Sequence, residues 1–270
     1  MSKYPELGGV FAYPVTPTSE DGAKVDEIRL CELIDEFVDA GARGIVVLGS
    51  TGAMTTEETR RLSLHAESVG AAGLQIVPMS HWPLTEAEIF EHYRKVGEAV
   101  SIPIAVHNCP SLTGIDMKPA LLARLTEIDN VRFLKEGSGD QARAPILRRL
   151  TQGKVPVWQD SETMALHGLL GGAEVWATMT PNLFPRPAVQ LYELASVKKD
   201  VDGARRLFAK MFPVIEFVFE RSGVRAIHTA LEILGRPAGA PRRPIRMLGK
   251  EDRARLEGLL RECEGLIRWS

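Results

Sequence analysis

Short apolar runs alternate with longer amphipathic stretches along most of this chain. The first run, Gly9-Val10-Phe11-Ala12-Tyr13, stops at Pro14. Between Asp26 and Ala40, the residues Leu30, Leu33, Ile34, Phe37 and Val38 fall at helical spacing, and Gly41 is placed to end that helix. A second strand is expected over Gly44 to Leu48, followed by Gly49-Ser50-Thr51-Gly52 and then by Thr55 and Glu58 at the spacing of a capping box. Further strands are expected at Gly73–Val77, Ile102–Val106, Val131–Leu134, Val155–Trp158 and Ala173–Ala177, Pro156 weakening the sixth. Thr85 and Glu88 repeat the capping pattern ahead of a helix lined by Ile89, Phe90, Tyr93 and Val96. Beyond Pro181 only helical patterns remain, near Pro187–Ala195, Asp200–Glu220, Ser222–Leu234 and Glu251–Ile267.

Strands that alternate with helices imply a parallel α/β sheet with helices outside it. Seven strand candidates are one short of the eight in an ordinary (β/α) barrel. The pattern alone leaves open a seven-strand barrel, a missed strand and an open doubly wound sheet. No linker or low-complexity block divides the chain, and 270 residues, 44% of them hydrophobic, suffice for one large core. The expected organisation is a single structural unit: a barrel over residues 1–185 with a helical extension over 186–270 packed on it.

The charge balance, 33 basic against 35 acidic residues, gives no electrostatic reason to expect nucleic acid or an anionic membrane as partner. Cys31, Cys109 and Cys263 are odd in number and widely spaced, which indicates neither a disulfide framework nor a zinc cluster. The N-terminus lacks an apolar leader pattern, and no apolar run approaches the roughly 18 residues of a membrane span. A cytoplasmic protein is expected.

Parallel barrels carry their reactive groups at the C-terminal ends of strands. Lys135 ends the fifth run, and alternation puts Val131, Phe133 and Lys135 on one face. If that face is interior, burial favours the neutral amine, the form that attacks a carbonyl. At an unperturbed pKa of about 10.4, fewer than ~0.1% of lysines are neutral at pH 7. The plainer alternative is a surface lysine at a strand end. Gly49-Ser50-Thr51-Gly52 joins a strand to a helix, where backbone N–H groups and two hydroxyls would suit a carboxylate or phosphate. A tight turn with a helix cap explains the same residues. His107 ends the fourth run and suits proton transfer near neutral pH, or else is a core histidine bonded to backbone. His81 and His167 have no partner at ligand spacing, so no metal site is expected.

Several short motifs, in their order and spacing, carry a resemblance. They are Tyr13-Pro14-Val15-Thr16-Pro17, Gly49-Ser50-Thr51-Gly52, Asn108-Cys109-Pro110, Lys135-Glu136-Gly137-Ser138-Gly139-Asp140, Gly171-Gly172-Ala173, Asn182-Leu183-Phe184-Pro185 and Arg242-Arg243-Pro244. Over nearly its whole length the chain resembles the dihydrodipicolinate synthase and N-acetylneuraminate lyase family of pyruvate-dependent aldolases. The resemblance implies a TIM-type (β/α) barrel and a Schiff base between Lys135 and a 2-oxo acid. It implies that Ser50 and Thr51 hold the substrate carboxylate, that no metal or organic cofactor takes part, and that the protein is a homo-oligomer.

Three departures shape the expected function. Histidine stands at position 107, where the family carries a proton-relaying tyrosine. The stretch from Glu57 to Gly73 reads as the start of one family helix joined to the end of the next, so one βα unit of the eight is missing. Met79-Ser80 and Leu112 replace the tyrosine pair and the arginine of lysine-biosynthetic members, which argues against that pathway. The expectation is a Schiff-base lyase or aldolase acting on pyruvate or another 2-oxo acid through Lys135, with His107 as general acid/base. The alternative is a catalytically impaired member that binds a 2-oxo acid or acts as an assembly partner. A third reading is a dehydratase or hydratase-aldolase with Met79, Trp82 and Trp176 lining the far side of its pocket.

Overall fold

The computed structural model of the chain describes residues 8–221 and 223–267. Seven strands are present among them: β1 (Gly9–Ala12), β2 (Gly44–Ile45), β3 (Leu74–Ile76), β4 (Ile104–Asn108), β5 (Val131–Glu136), β6 (Val157–Gln159) and β7 (Val175–Thr178). A single helix, Thr56–Ser68, fills the connection between β2 and β3. That is the stretch where the sequence pattern lacks one βα unit.

The residues fall into two compact units. One comprises residues up to Val47, Glu162–Leu170 and Trp176 onward; the other comprises Leu48–Ser161 and Gly171–Val175.

The first unit holds β1 paired in parallel with β2, and a helical C-terminal part. Helices Pro185–Tyr192, Val201–Glu220, Val224–Ile233 and Lys250–Glu262 lie close to the expected positions, the last ending five residues earlier than Ile267. Leu33 and Phe37, two of the apolar residues at helical spacing, enter a core with Trp176, Phe184, Leu191, Met211 and Phe217. Trp176 is completely buried there, so it is a core residue and not a pocket wall. Asn182 anchors the first strand: its Oδ1 accepts from Val15 N at 2.9 Å, and its Nδ2 donates to Tyr13 O and Met179 O, both at 2.7 Å. Strand β2 stops at Ile45, short of the expected Leu48, because Leu48 takes a left-handed conformation (φ 61°) that no strand accommodates.

The second unit contains β3 to β6, with neighbouring strands paired in parallel. Alternation sorts its residues cleanly. Leu74, Ile76, Ile104, Val106, Leu134 and Val157 join one apolar cluster with helix residues Ile89, Tyr93, Val96, Leu122 and Leu147. The alternate positions, Gln75, Ala105, His107, Phe133, Lys135 and Trp158, occupy the other face. Val131 breaks the expected set. The register between β4 and β5 slips after Ile104, which pairs with Val131 while Ala105 pairs with Phe133. Arg132 is thus an extra residue, and Val131 packs with Leu134 instead of with Phe133 and Lys135. The Thr85–Glu88 capping box forms in full. At Thr55 only half forms, since its side chain accepts from Glu58 N while the Glu58 carboxylate pairs with Arg61. No helix among the described residues is long and apolar enough to cross a membrane.

Candidate functional site

Strand register decides which side chains meet at the C-terminal ends of β3 to β6. His107 on β4 lies opposite Lys135 on β5, and Lys135 lies opposite Trp158 on β6. Two residues beyond Trp158, and therefore on the same face, comes Asp160. Lys135 is 3% exposed and His107 5%. A long ammonium side chain this deeply buried requires a partner, and Asp160 supplies one: its Oδ1 is 2.5 Å from Lys135 Nζ. Its other oxygen, Oδ2, is 3.1 Å from His107 Nε2. One carboxylate therefore bridges the lysine and the histidine.

The histidine is held from its far side as well. Gln75 on β3 lies with its Nε2 3.3 Å from His107 Nδ1, and the same amide nitrogen donates to the carbonyl of Gly49. An amide nitrogen has two hydrogens and no acceptor capacity. His107 Nδ1 is then the acceptor, and Nε2 carries the hydrogen donated to Asp160. The chain of contacts Gly49–Gln75–His107–Asp160–Lys135 links a loop to the buried lysine through side chains of four consecutive strands or their ends.

Charge follows from this geometry. Burial, and next the Lys135 ammonium, push the His107 imidazole below its ordinary value, against the pull of Asp160, so the ring is neutral at pH 7. Burial alone would raise the Asp160 carboxyl, but the Lys135 charge and the His107 hydrogen bond hold it well below the usual carboxylate range. The resting set is a buried ion pair beside a neutral imidazole. Asp160, in contact with Lys135 Nζ, is the group that offsets the desolvation of the lysine's charged form.

Gly137 makes the approach of Asp160 feasible. A Cβ at this position would lie 2.2 Å from Asp160 Oδ2 and 2.9 Å from Asn108 O. The outward face at the same strand ends carries a separate network. Arg143 donates to both Asp116 oxygens at 2.6 and 2.7 Å, and Asn108 Nδ2 reaches Asp116 and Glu136 at 3.3 Å. Glu136 also accepts from Ser138 N at 2.6 Å. Burial pushes the Glu136 carboxyl up from its ordinary value despite these donors. The network braces the turn that follows Lys135.

Ser50 and Thr51 lie in the loop after β2, half-buried. The loop's N–H groups are turned to internal use: Ser50 N donates to Leu48 O, Thr51 N to Gln75 O, Gly52 N to Ser50 Oγ and Ala53 N to Thr59 Oγ1. Those four backbone donors are already engaged, and Ser50 and Thr51 bring hydroxyls besides. Ser50 Oγ accepts from Gly52 N and from Val77 N at 3.2 Å, which orients it and leaves its own hydrogen to donate. Thr51 Oγ1 lies 3.2 Å from Ser63 Oγ. Met79 and Trp82, after β3, are 40% and 75% exposed.

His107, Cys109 and Asp160 each place a potential ligand atom within 4.8 Å of the others. Both Asp160 oxygens are engaged by Lys135 and His107, and burial raises the Cys109 thiol above its ordinary value, away from the thiolate a metal needs. The donor set fits an organic proton-transfer site better than a cation site. Spacing along the sequence could not reveal the grouping, since its members come from different strands. Sequence reasoning reaches Asp160 only as a residue ending the sixth run and gives no role to it or to Gln75, although the period of β6 places Asp160 on Trp158's face.

Comparison with known proteins gives consistent results. The model of the dihydrodipicolinate synthetase family matches residues 47–263. A 4-hydroxy-tetrahydrodipicolinate synthase of Archaeoglobus fulgidus is 31% identical over 81% of this chain and 75% of its own length. One from Methanothrix thermoacetophila is 29% identical over 96% of this chain and 97% of its own. A crystal structure described as a putative dihydrodipicolinate synthetase from Pseudomonas aeruginosa superposes with a TM-score of 0.90, at 34% identity over 95% of this chain and 99% of that one. The chloride-inhibited dihydrodipicolinate synthase from Acinetobacter baumannii, solved with pyruvate, superposes with a TM-score of 0.89 at 26% identity, covering 97% of this chain and all of that one. The fold is thus of the (β/α) barrel type, with seven strands among the described residues and a helical C-terminal part.

Proposed function

Because this chain belongs to the dihydrodipicolinate synthetase family, we propose that it is a Schiff-base lyase or aldolase that condenses Lys135 with pyruvate or another 2-oxo acid. The observation that carries the reading is a lysine 3% exposed at a strand end, in contact with a carboxylate whose other oxygen accepts from a neutral histidine. Such a lysine has no packing purpose that an apolar residue would not serve better. The A. baumannii relative solved with pyruvate supports the substrate class.

In this reading Lys135 Nζ attacks the C2 carbonyl and water leaves. The resulting iminium accepts an electron pair as the C3–C4 bond breaks or as an enamine forms. The hydroxyls of Ser50 and Thr51 hold the substrate carboxylate, and His107 takes part in acid/base transfer through the carboxylate it touches. No metal or organic cofactor is required. The far part of the substrate differs from that of lysine biosynthesis, since Leu112, 80% exposed, stands where those members have arginine. The reading includes a homo-oligomer, and sedimentation showing monomer alone would remove that part.

Borohydride reduction in the presence of pyruvate, followed by peptide mass spectrometry, tests the reading. The expected result is a pyruvate-sized adduct on Lys135, absent from Lys135→Ala. No adduct with pyruvate or a panel of longer 2-oxo acids, in folded protein, refutes it. An adduct with no turnover of any 4-hydroxy-2-oxo acid would favour the impaired member, a reading motivated by histidine at position 107 and by the missing βα unit.

A further inference from the structure

Lys135 must lose two protons to become an iminium, and the site has to put them somewhere. We propose that Asp160 is the catalytic acid–base of imine formation: it carries both protons from Lys135 Nζ to the departing carbonyl oxygen, while His107 and Gln75 act as positioning residues. The proposal rests on the Schiff-base reading of Lys135 and assigns the proton transfers of imine formation to the carboxylate that His107 touches, not to His107 itself.

Three observations support it. First, Asp160 Oδ1 touches the reacting atom, at 2.5 Å from Nζ. Second, the carboxylate is aimed. Its Oδ2 is held by His107 Nε2 at 3.1 Å, and the ring is fixed in turn by Gln75 at 3.3 Å, so Oδ1 alone is left to serve the amine. Third, the backbone is shaped to admit the group, because any side chain at Gly137 would come within 2.2 Å of Oδ2. A structural counter-ion needs the first of these, but not the tautomer-fixing relay behind it.

The steps balance without an outside acid or base. Asp160 takes one proton from the ammonium. The freed lone pair forms the N–C2 bond as the carbonyl π pair moves onto oxygen, and that oxygen receives the proton from Asp160. The nitrogen of the adduct, again positive, gives a second proton to Asp160. Asp160 passes it to the hydroxyl, which leaves as water while the nitrogen lone pair forms the C=N bond. Nitrogen has gone from three hydrogens to one, the oxygen has gained two, and Asp160 ends as a carboxylate paired with the iminium. Because the ion pair is buried and neutral overall, an internal carrier avoids drawing protons from bulk water into a site that holds Lys135 at 3% exposure.

The test is the rate of pyruvate imine formation, quenched with borohydride and read by intact mass, between pH 6 and 9. In the unmodified protein the rate should vary less with pH than in Asp160→Asn, since the protons are carried inside the site by the carboxylate that touches Nζ. Asp160→Asn should form the adduct ~10²-fold more slowly or worse, with a rate that rises with pH as the amine must now lose its proton to solvent. Asp160→Glu should recover part of the rate and the flatter profile. Formate should restore part of the rate to Asp160→Ala, which keeps the test decisive if the Asn variant does not fold. An Asn variant as fast as the unmodified protein, with the same pH profile, overturns the role of Asp160 and leaves the Schiff-base reading intact. No adduct in the unmodified protein removes both.

Discussion

Gly137→Ala is a small change with a large expected effect. The residue does not adopt a positive φ, so alanine meets no backbone penalty and, by entropy of the unfolded chain alone, would stabilise by about 0.4–1 kcal/mol. The site reverses that sign. The new methyl would sit 2.2 Å from Asp160 Oδ2 and 2.9 Å from Asn108 O, and the carbonyl cannot move away freely because it accepts from Gly137 N at 2.8 Å. The carboxylate has to shift, which breaks the 3.1 Å contact to His107 and strains the 2.5 Å contact to Lys135. Overpacking costs about 1–3 kcal/mol, and weakening a buried ion pair adds to it, toward the roughly 3–5 kcal/mol seen when such a pair is broken outright. A net loss of about 2–4 kcal/mol is expected, or a fall in Tm of about 4–7 °C for a chain of this size. The control is Gly258→Ala, the same chemical change in the helix Lys250–Glu262, where a Cβ meets nothing within 4 Å. That variant should gain up to about 1 kcal/mol. Thermal unfolding of the two beside the unmodified protein decides the matter. A Gly137→Ala variant as stable as the parent would show that Asp160 is not seated where the geometry of the turn requires.

Two further expectations concern stability. Asn182→Ala leaves Val15 N, Tyr13 O and Met179 O without their buried partner, and should cost about 3 kcal/mol or more in denaturant unfolding; a loss under about 1 kcal/mol would mean that water replaces the amide. Asp116 tests pH linkage. Its carboxyl is held well below the ordinary range, first by the hydrogen bonds from Arg143, so its contribution is present above the unfolded pKa of about 3.9 and is lost as pH falls through the lower folded value. Asp116→Asn should therefore be less stable than the parent at pH 7, by about 1–2 kcal/mol after allowance for the carboxylate's 30% exposure, with the gap closing below about pH 4. A gap unchanged down to pH 2.5 would refute the linkage.

Much of this was legible before the structure. The two-residue period placed Lys135 on the inner face with Phe133, and capping residues fixed the starts of two helices. The failures have specific causes. Val131 was assigned to the lysine's face because a bulge at Arg132 leaves no trace in composition or period. Val46 to Leu48 read as strand because they are apolar, yet Leu48 is 83% exposed in a left-handed turn. The loop at Ser50 and Thr51 looked rich in available N–H groups, but small residues also fold back on their own backbone, and here they do. Asp160 was read as ending the sixth run but received no role. Only the neighbouring lysine gives it meaning, and that adjacency is tertiary.

Whether Lys135 and Asp160 are kept for stability or for chemistry can be separated by experiment. A buried ion pair seldom outperforms apolar residues of the same volume, because the desolvation of two charges offsets most of their attraction. The surroundings here are suited to an uncharged pair: Phe133 and Trp158 are in ring contact at 5.2 Å, and Ala105 is 2% exposed. Lys135→Met alone strands the Asp160 carboxylate in that setting and should cost about 3–5 kcal/mol at neutral pH, less in acid where the carboxyl can be protonated. Adding Asp160→Asn removes the charge while its amide oxygen keeps the hydrogen bond from His107. The double variant should return to within about 1 kcal/mol of the parent, or exceed it, while forming no adduct with any 2-oxo acid. Recovery of stability without recovery of imine formation would mean the ion pair does nothing for the fold that an uncharged pair cannot do, leaving the reaction as the reason for its presence. A double variant as unstable as the single one would refute that, and would make the pair a structural element on which Lys135 chemistry, if present, is superimposed.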